Sequence, residues 1–499
     1  MTAVRDGSRF RGSGWGVLGV ASLGAFLSTL NITIVNVALP SIAEDFSVGI
    51  DEAQLVVLGY LLALGTLLLA FGRLGDVVGY KKVYVWGLAI FGVASLLCGL
   101  AGNVWALAGF RALQGVGSGM VQAIGPALIS RAFPAEERGK AQGLFAISVA
   151  LGIAVGPTLG ALLTGAFSWS WIFFASVPAC LLGVAWSLRV LPAERPSAGG
   201  GFDPLGVLLL FGATLALLLA VLGGGRWGWT GGVNLALLAS FAVLGTAFVV
   251  AEGRVPHPTL DLGLLRIRAV WAGNASTLVA FATLFTATFL VPFYLADVRG
   301  LSVIQTGLFL TPLPLATLVA SPFGGVLSDR VGARVPTAAG AALIGSGLLL
   351  LAGIDAATSA PALVWRLAVA GAGLGLFIGA NQGLVLGAVP PERLGMASGM
   401  LAQVRNSGQA LGVALAGAVV AARLPVHVGE LSGTLPEEIV RRDAFVLAMH
   451  DAFYIGAAIC VLAVLASLAS ERRRVGPRGG DARPEAAHEA EDYRRTEVR

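Results

Sequence analysis

The sequence has little charge. Asp, Glu, Lys and Arg make up 12% of its 499 residues, about half the share of an ordinary soluble domain. Lysine is the rarest of them: Lys81, Lys82 and Lys140 stand against thirty arginines, in a chain rich in Ala, Gly and Val that reads as G+C-rich coding. Cysteine is scarce too. Cys98, Cys180 and Cys460 each fall inside an apolar run, which leaves neither a disulfide framework nor a metal-ligand spacing. The four histidines, His257, His427, His450 and His488, are scattered, form no ligand set and read as loop residues. What is abundant is hydrocarbon. The hydrophobic residues reach 56% and the mean hydropathy is +0.83. A soluble fold this apolar could not cover its surface with polar groups. A water-soluble enzyme, a disordered chain and a nucleic-acid binder are excluded, and the solvent is lipid. The formal charge of +5 is then no nucleic-acid signal, because basic residues of membrane proteins collect on the cytoplasmic face.

A bilayer-crossing helix needs roughly 20 mostly apolar residues. Fourteen runs qualify, at 16–39, 53–71, 83–100, 104–124, 143–166, 169–188, 205–222, 233–250, 270–294, 303–326, 336–353, 362–386, 397–421 and 452–469. The first follows Arg5, Arg9 and Arg11, but it is longer than a signal-peptide core and a second span follows at once, so it is expected to be a retained helix. With the N-terminus in the cytoplasm, twenty-five Lys and Arg fall on the inside and five outside: Arg226, Arg299, Arg423, Arg441 and Arg442. That asymmetry predicts a multi-pass protein of the inner (cytoplasmic) membrane with both termini cytoplasmic.

The sequence repeats itself. Residues 133–143 recur as 389–399, with Pro134, Glu136, Gly139, Ala141 and Gly143 matched 256 residues on. Before each copy runs a helix bearing an arginine and a glycine ladder: Arg111, Gly115, Gly117 and Gly119, then Arg366, Gly371, Gly373 and Gly375. Gly72 and Asp76 match Gly325 and Asp329 at an offset of 253. The expected fold is therefore an all-α integral membrane protein of fourteen helices arranged 6+2+6. Its parts would be an N-terminal six-helix bundle (1–192), a two-helix insert with cytoplasmic flanks (193–268), a C-terminal six-helix bundle (269–470) and a disordered cytoplasmic tail (471–499). Parallel repeats of this kind mark secondary transporters, with a substrate site between the halves near the midplane.

Five segments carry the chemistry. Gly72–Lys82 lies between spans 2 and 3; its glycines permit a tight turn. Asp76, an acid in a basic loop beside Lys81, can bond a helix N-terminus or an arginine and act as a latch, repeated at Asp329 and Arg330. In span 4, Arg111, Gln114, Gly115, Ser118 and Gln122 share one face at 100° per residue. An arginine in hydrocarbon costs about 2.5–3.5 kcal/mol, so that stripe faces a cavity or a partner, or the arginine snorkels outward. In span 13, Arg405 is the most deeply placed charge, with Ser398, Gln409 and Gly412 on its face. In span 5, Gly152, Gly156, Pro157 and Gly160 combine close approach with a kink, a bendable seam at the interface of the halves. In span 1, Asn31 and Asn36 put amides inside an apolar helix; Asn31 bonds either substrate or a neighbouring helix.

On these motifs the chain resembles the major facilitator superfamily over almost its whole length, and more narrowly its fourteen-spanner drug/proton antiporters. Gly72–Lys82 is similar to the loop 2–3 signature. The Arg111 helix is similar to a helix-4 motif linked in that family to proton transfer, and Gly152–Gly160 to the helix-5 antiporter motif. The segment from Leu30 to Pro40 is similar to the group's helix-1 motif. Two departures stand out: Val77 replaces a basic residue, and Asn31 stands where the motif commonly has Asp. The central part of every span lacks Asp and Glu, and its charges are Arg111, Arg366 and Arg405. That favours neutral, zwitterionic or anionic lipophilic substrates over cationic ones.

The resemblance implies rocker-switch export of a lipophilic compound driven by inward proton movement. Arg111 and Arg405 would line the cavity and Asp76 and Asp329 would latch the cytoplasmic side. A monomer needing no cofactor beyond the proton-motive force is expected, with the substrate, protons and lipid as its partners. A symporter on the same fold is the alternative. A potassium-type filter, a Walker loop and a nucleophile elbow are missing from the sequence.

Overall fold

In the computed structural model the described residues are 14–192, 203–255, 262–390, 393–432 and 436–470, without the side chains of 135, 136, 138, 139, 225, 226, 329 and 395. Backbone amides in lipid have no water to bond, so each apolar run closes its hydrogen bonds on itself. The described residues form sixteen α-helices and no strand. The first half holds α1 (Gly14–Asp45), α2 (Ile50–Val78), α3 (Tyr80–Gly99), α4 (Val104–Ala132), α5 (Ala135–Ala166), the short α6 (Trp171–Phe174) and α7 (Ser176–Val190). Next come α8 (Pro204–Trp227) and α9 (Gly232–Glu252). The second half holds α10 (Arg268–Phe293), α11 (Val303–Leu310), α12 (Pro312–Val331), α13 (Arg334–Leu351), α14 (Ala360–Leu386), α15 (Leu394–Leu431) and α16 (Glu437–Ala469).

α6 with α7, and α11 with α12, each make one interrupted crossing. Pro312 opens α12 at the position where its missing N–H leaves no hydrogen bond unmade. Among the described residues, thirteen crossings are long and apolar enough to span a membrane on composition. α4 is the fourteenth: its 29 residues suffice, and Arg111, Gln114, Gln122 and Arg131 dilute its apolarity. Nine of the ten tryptophans are exposed. Trp15, Trp105, Trp171, Trp227, Trp271 and Trp365 sit near helix ends, where an amphipathic ring belongs at the membrane–water boundary.

Several expected loops are helix. α2 continues to Val78 and α3 starts at Tyr80, so the whole turn between them is Gly79, at φ +104°. In the second half the turn is Gly332, at φ +85°, followed by Ala333. Both angles suit a residue without Cβ. His427 and His450, expected on loops, lie in α15 and α16, because both helices extend beyond their apolar runs. His427 bridges Glu430 at 2.9 Å and Asp451 at 2.8 Å, and Arg423 reaches the same Asp451 oxygen at 2.6 Å. His257, His488, Arg195 and the expected tail fall outside the described residues.

The sequence repeat is also a packing repeat. Gly115 abuts the Tyr60 carbonyl, and Gly371 that of Leu313; Gly117 abuts Gly87 and Phe91, and Gly373 abuts Gly340 and Ile344. Gly119 meets Leu64, and Gly375 meets Thr317. Every partner in the second half lies 253 residues after its counterpart. Without side chains at these points the helix backbones approach closely.

α1 begins, and α16 ends, on one side of the bundle, here the terminal side; the opposite is the far side. The halves join toward the far side. Gly307 of α11 sits against Ala161 and, at 2.6 Å from its would-be Cβ, the Pro157 carbonyl; Gly165 meets Ile304. The Thr158 and Thr311 hydroxyls share a hydrogen bond of 2.8 Å. α2 runs along α15, with Gln54 against Gly417 and Gly65 against Asn406, and α8 covers the flank of that pair. Toward the terminal side α5 and α12 expose Leu144, Ile147 and Leu151, and Val319, Phe323 and Val326, so these two helices part there while α2 and α15 stay in contact through Leu69 and Gly399. One expectation is corrected. Gly152, Gly156 and Gly160 do not lie between the halves; they face Thr29, Thr33 and Ile34 of α1. Their spacing of four makes a single stripe, and the neighbouring stripe of Pro157, Ala161 and Gly165 meets α11 instead.

Candidate functional site

Arg111 is wholly buried, two turns in from the far-side end of α4. Its Nε donates to the Val56 carbonyl at 3.1 Å, one Nη to Gln114 Oε1, and the other to the Asn31 carbonyl at 3.2 Å. The guanidinium carbon lies 4.2 Å from the centre of the Tyr60 ring. Among the described residues no carboxylate joins it. Three charge-assisted hydrogen bonds and an aromatic face stand where water would be, and the side chain does not snorkel.

The network spreads from there. Gln114 Nε2 donates to Asn31 Oδ1 at 3.2 Å and to the Ser95 hydroxyl at 2.7 Å. Asn31 Nδ2 donates to the Leu27 carbonyl and the Ser176 hydroxyl, both at 3.1 Å. The Tyr60 hydroxyl meets the Ser28 carbonyl at 2.8 Å and the Ser118 hydroxyl at 2.7 Å. One guanidinium thus ties together α1, α2, α3, α4 and α7. Of the two roles open to Asn31, this conformation uses the interhelical one. Tyr60, Ser95 and Ser176 were not singled out in the sequence; a lone hydroxyl in an apolar run was the available signal.

The remaining polar residues are less well satisfied. Asn36 Oδ1 and Gln122 Nε2 are buried without a partner. On α4, Gln122 lies between the stripe packed on α2 (Gly115, Gly119) and the residues bonded toward α1 (Gln114), in the same sector as Arg111 and Ser118. Arg366 is not the counterpart of Arg111. The glycine ladders align at 256, which sets Leu367 opposite Arg111 and turns Arg366 by one 100° step. Arg366 is half-buried beside the Trp365 ring, with Nε and Nη1 unpaired. Arg405 is half-buried and has no hydrogen bond or ion pair to any described residue. One turn on, Gln409 is buried with Oε1 unpaired.

At the terminal side the expected gate residues are fastened within the first half. Asp76 accepts from the Tyr80 hydroxyl and lies 3.7 Å from Arg73, while Arg131 sits 4.1 Å from the Tyr80 ring centre. Lys81 Nζ donates to the Leu188 carbonyl at 2.8 Å and to that of Leu191, satisfying groups left open at the end of α7. Gly72 and Gly325 have nothing within 4 Å of a would-be Cβ. Arg330 is exposed, and the Asp329 side chain lies outside the described residues. On the far side the exposed Asp355 carboxyl is held below its ordinary range by the Thr358 hydroxyl and the Ala357 N–H.

Comparison with known proteins places this geometry. Residues 21–413 match the family model described as Major Facilitator Superfamily. The chain is 31% identical over 452 residues to the riboflavin transporter RibZ of Clostridioides difficile, covering 90% of this chain and 96% of that protein. It is 35% identical over 421 residues to the multidrug resistance protein Stp of Mycobacterium tuberculosis, covering 84% and 78%. Among solved structures, a bacterial homologue of the human lysosomal transporter Spinster, inward-facing and unoccupied, superposes with a TM-score of 0.66 at 17% identity, covering 92% of this chain and 97% of that one. The chain belongs to the Major Facilitator Superfamily and is a membrane transporter, not an enzyme.

Proposed function

We propose that the protein exports a lipophilic drug or antibiotic across the cytoplasmic membrane by proton antiport with rocker-switch alternating access. The observation that carries this reading is the asymmetry of contact between two equivalent halves. They pack alike internally, while between them α5 meets α11 toward the far side and α5 and α12 expose apolar side chains toward the terminal side. A second state joined at the terminal side is then available by rotation about the same centre. The Lys/Arg asymmetry supports reading the terminal side as the cytoplasm, and in this reading the described conformation is inward-open. Gly72 and Gly325, with open space around them, suit a closing contact there, and Asp76 with Arg73 and Lys81 is the charged edge that would meet it. The relative named for multidrug resistance supports export of drugs.

The protein works as a monomer in this reading, with the proton-motive force as its only energy source. One charge crossing 100 mV yields about 2.3 kcal/mol, roughly a fortyfold gradient. Proteoliposomes with an imposed pH gradient test the coupling. Addition of a transported drug should release protons in step with drug movement; drug movement without proton release rejects antiport. The second reading, a proton-coupled importer on the same fold, draws on the relative named as a riboflavin transporter. Uptake of labelled riboflavin by cells expressing the chain, with no drug efflux, would favour it.

A further inference from the structure

The exporter reading leaves the chemical class of substrate open, and Arg405 narrows it. On α15, Gly408 and Gly412 abut the Leu278 and Ala282 carbonyls of α10, while Gly399, Asn406 and Gly417 meet Leu69, Gly65 and Gln54 of α2. At 100° per residue, Arg405 lies between these two contact faces, in line with Ser398, Ala402, Gln409 and Ala416. Along that line Ser398 is exposed, Ala402 and Arg405 are half-buried, and Gln409 and Ala416 are buried. That is the profile of a space open at the terminal side and closed at the far side. Its depth is fixed by Gly65, which stands midway along α2 opposite Asn406. Gly119 of α4 meets Leu64 in the same layer, and Gln122 is less than one turn away. Arg405 from one half and Gln122 from the other therefore lie within about one turn of this middle layer, with Gln409 one turn deeper toward the far side.

This layer carries positive charge and no counter-charge. Every Asp and Glu of the described helices lies within about two turns of a helix end, except Asp451, and Asp451 is held by Arg423 and His427. Arg111 is enclosed by its own carbonyl and amide partners. Arg405 is not, and Gln122 offers an unpaired N–H as well. A bare guanidinium in a low-dielectric space lacks the partner that would offset its lost hydration. A carboxylate or phenolate supplies one, with two parallel hydrogen bonds from the planar fork. A cationic drug would meet like charge with nothing to neutralise it.

We infer that the substrate is an amphiphilic organic anion, a carboxylate or phenolate on an apolar body, bound by the Arg405 guanidinium with an amide hydrogen bond from Gln122. The inference rests on the exporter reading and adds an electrical consequence. Each substrate leaving carries a negative charge outward, so an inside-negative potential drives export directly, about fortyfold per 100 mV, in addition to any proton coupling.

The test uses the full chain with two xanthene dyes of similar size, anionic fluorescein and cationic rhodamine 6G. Binding to purified protein should favour fluorescein. Arg405→Gln should weaken fluorescein binding by about tenfold or more, and Arg405→Lys should restore part of it. Because Arg405 makes no hydrogen bond or ion pair with a described residue, the Gln variant should melt where the parent does. In proteoliposomes, a valinomycin-set potassium potential should speed fluorescein movement toward the positive side, and reversing it should slow that movement. Tighter binding of rhodamine 6G, binding of neither dye, or unchanged fluorescein binding in Arg405→Gln overturns the inference. Accumulation of rhodamine 6G against its gradient would overturn the anion class while leaving the exporter reading intact. Downhill equilibration alone for every dye would instead sink export.

Discussion

A single methyl group at position 307 should shift the conformational balance. Gly307 lies where α11 crosses α5, and a Cβ there would stand 2.6 Å from the Pro157 carbonyl oxygen and closer still to the Ala161 methyl. Ordinary contact needs about 3.5–4.0 Å, so Gly307→Ala requires the two helices to separate by roughly an ångström. Overpacking of this kind costs about 1–3 kcal/mol. At Gly307 the strain lies between the halves, and rocking them apart on the far side relieves it. The variant should therefore favour the outward-open state by about 5- to 150-fold. Gly156→Ala is the control. Its Cβ would strike Thr33 of α1 inside one half, where rocking gives no relief, so it should lower thermal stability and leave the balance alone. Electron–electron distances between spin labels across the far side read the balance, since native Cys98, Cys180 and Cys460 are buried. An unchanged distance distribution in Gly307→Ala, or a shifted one in Gly156→Ala, would refute the assignment of these two glycines.

Further outcomes follow from the polar network and the turns. Arg111→Ala should abolish export while expression persists; full drug resistance in that variant would remove Arg111 from the transport cycle. Tyr60→Phe removes the hydroxyl bonded to Ser28 and Ser118 and keeps the ring under Arg111, so it should cost about 0.5–1.5 kcal/mol in thermal unfolding. Gly79→Ala and Gly332→Ala force a side chain to positive φ with extended ψ, at about 1–3 kcal/mol each. Similar melting losses in the two variants would match their equivalence, and a loss at one alone would contradict it.

The fold was legible because lipid simplifies the code. Fourteen apolar runs, a charge asymmetry and a repeat at 253–256 residues specify the architecture without any side-chain detail. The glycine ladders were legible for the same reason: a missing side chain predicts close approach wherever the chain goes. Partners were harder to read. Gly152, Gly156 and Gly160 announce a tight contact but not with which helix, and α1, not the other half, takes it. Arg366 looked equivalent to Arg111 in a linear motif, yet a shift of one residue turns it by 100° and leaves it without the cage. The cage itself needs Val56 and Asn31 to present carbonyls, and a carbonyl has no sequence signature. Helix ends were misplaced where polar extensions continue past the apolar run, as at Pro425–Leu431 of α15.

Accessibility of two engineered cysteines during turnover tests the two-state scheme most directly. Ser398→Cys lies on the exposed, terminal-side part of the central face, and Thr158→Cys in the far-side contact against Thr311. At rest a membrane-impermeant maleimide should label position 398 from the terminal side and leave 158 unlabelled. With substrate and a proton gradient, labelling at 398 should fall while 158 becomes reactive from the far side. Reactivity at both positions that stays fixed through turnover would contradict alternating access.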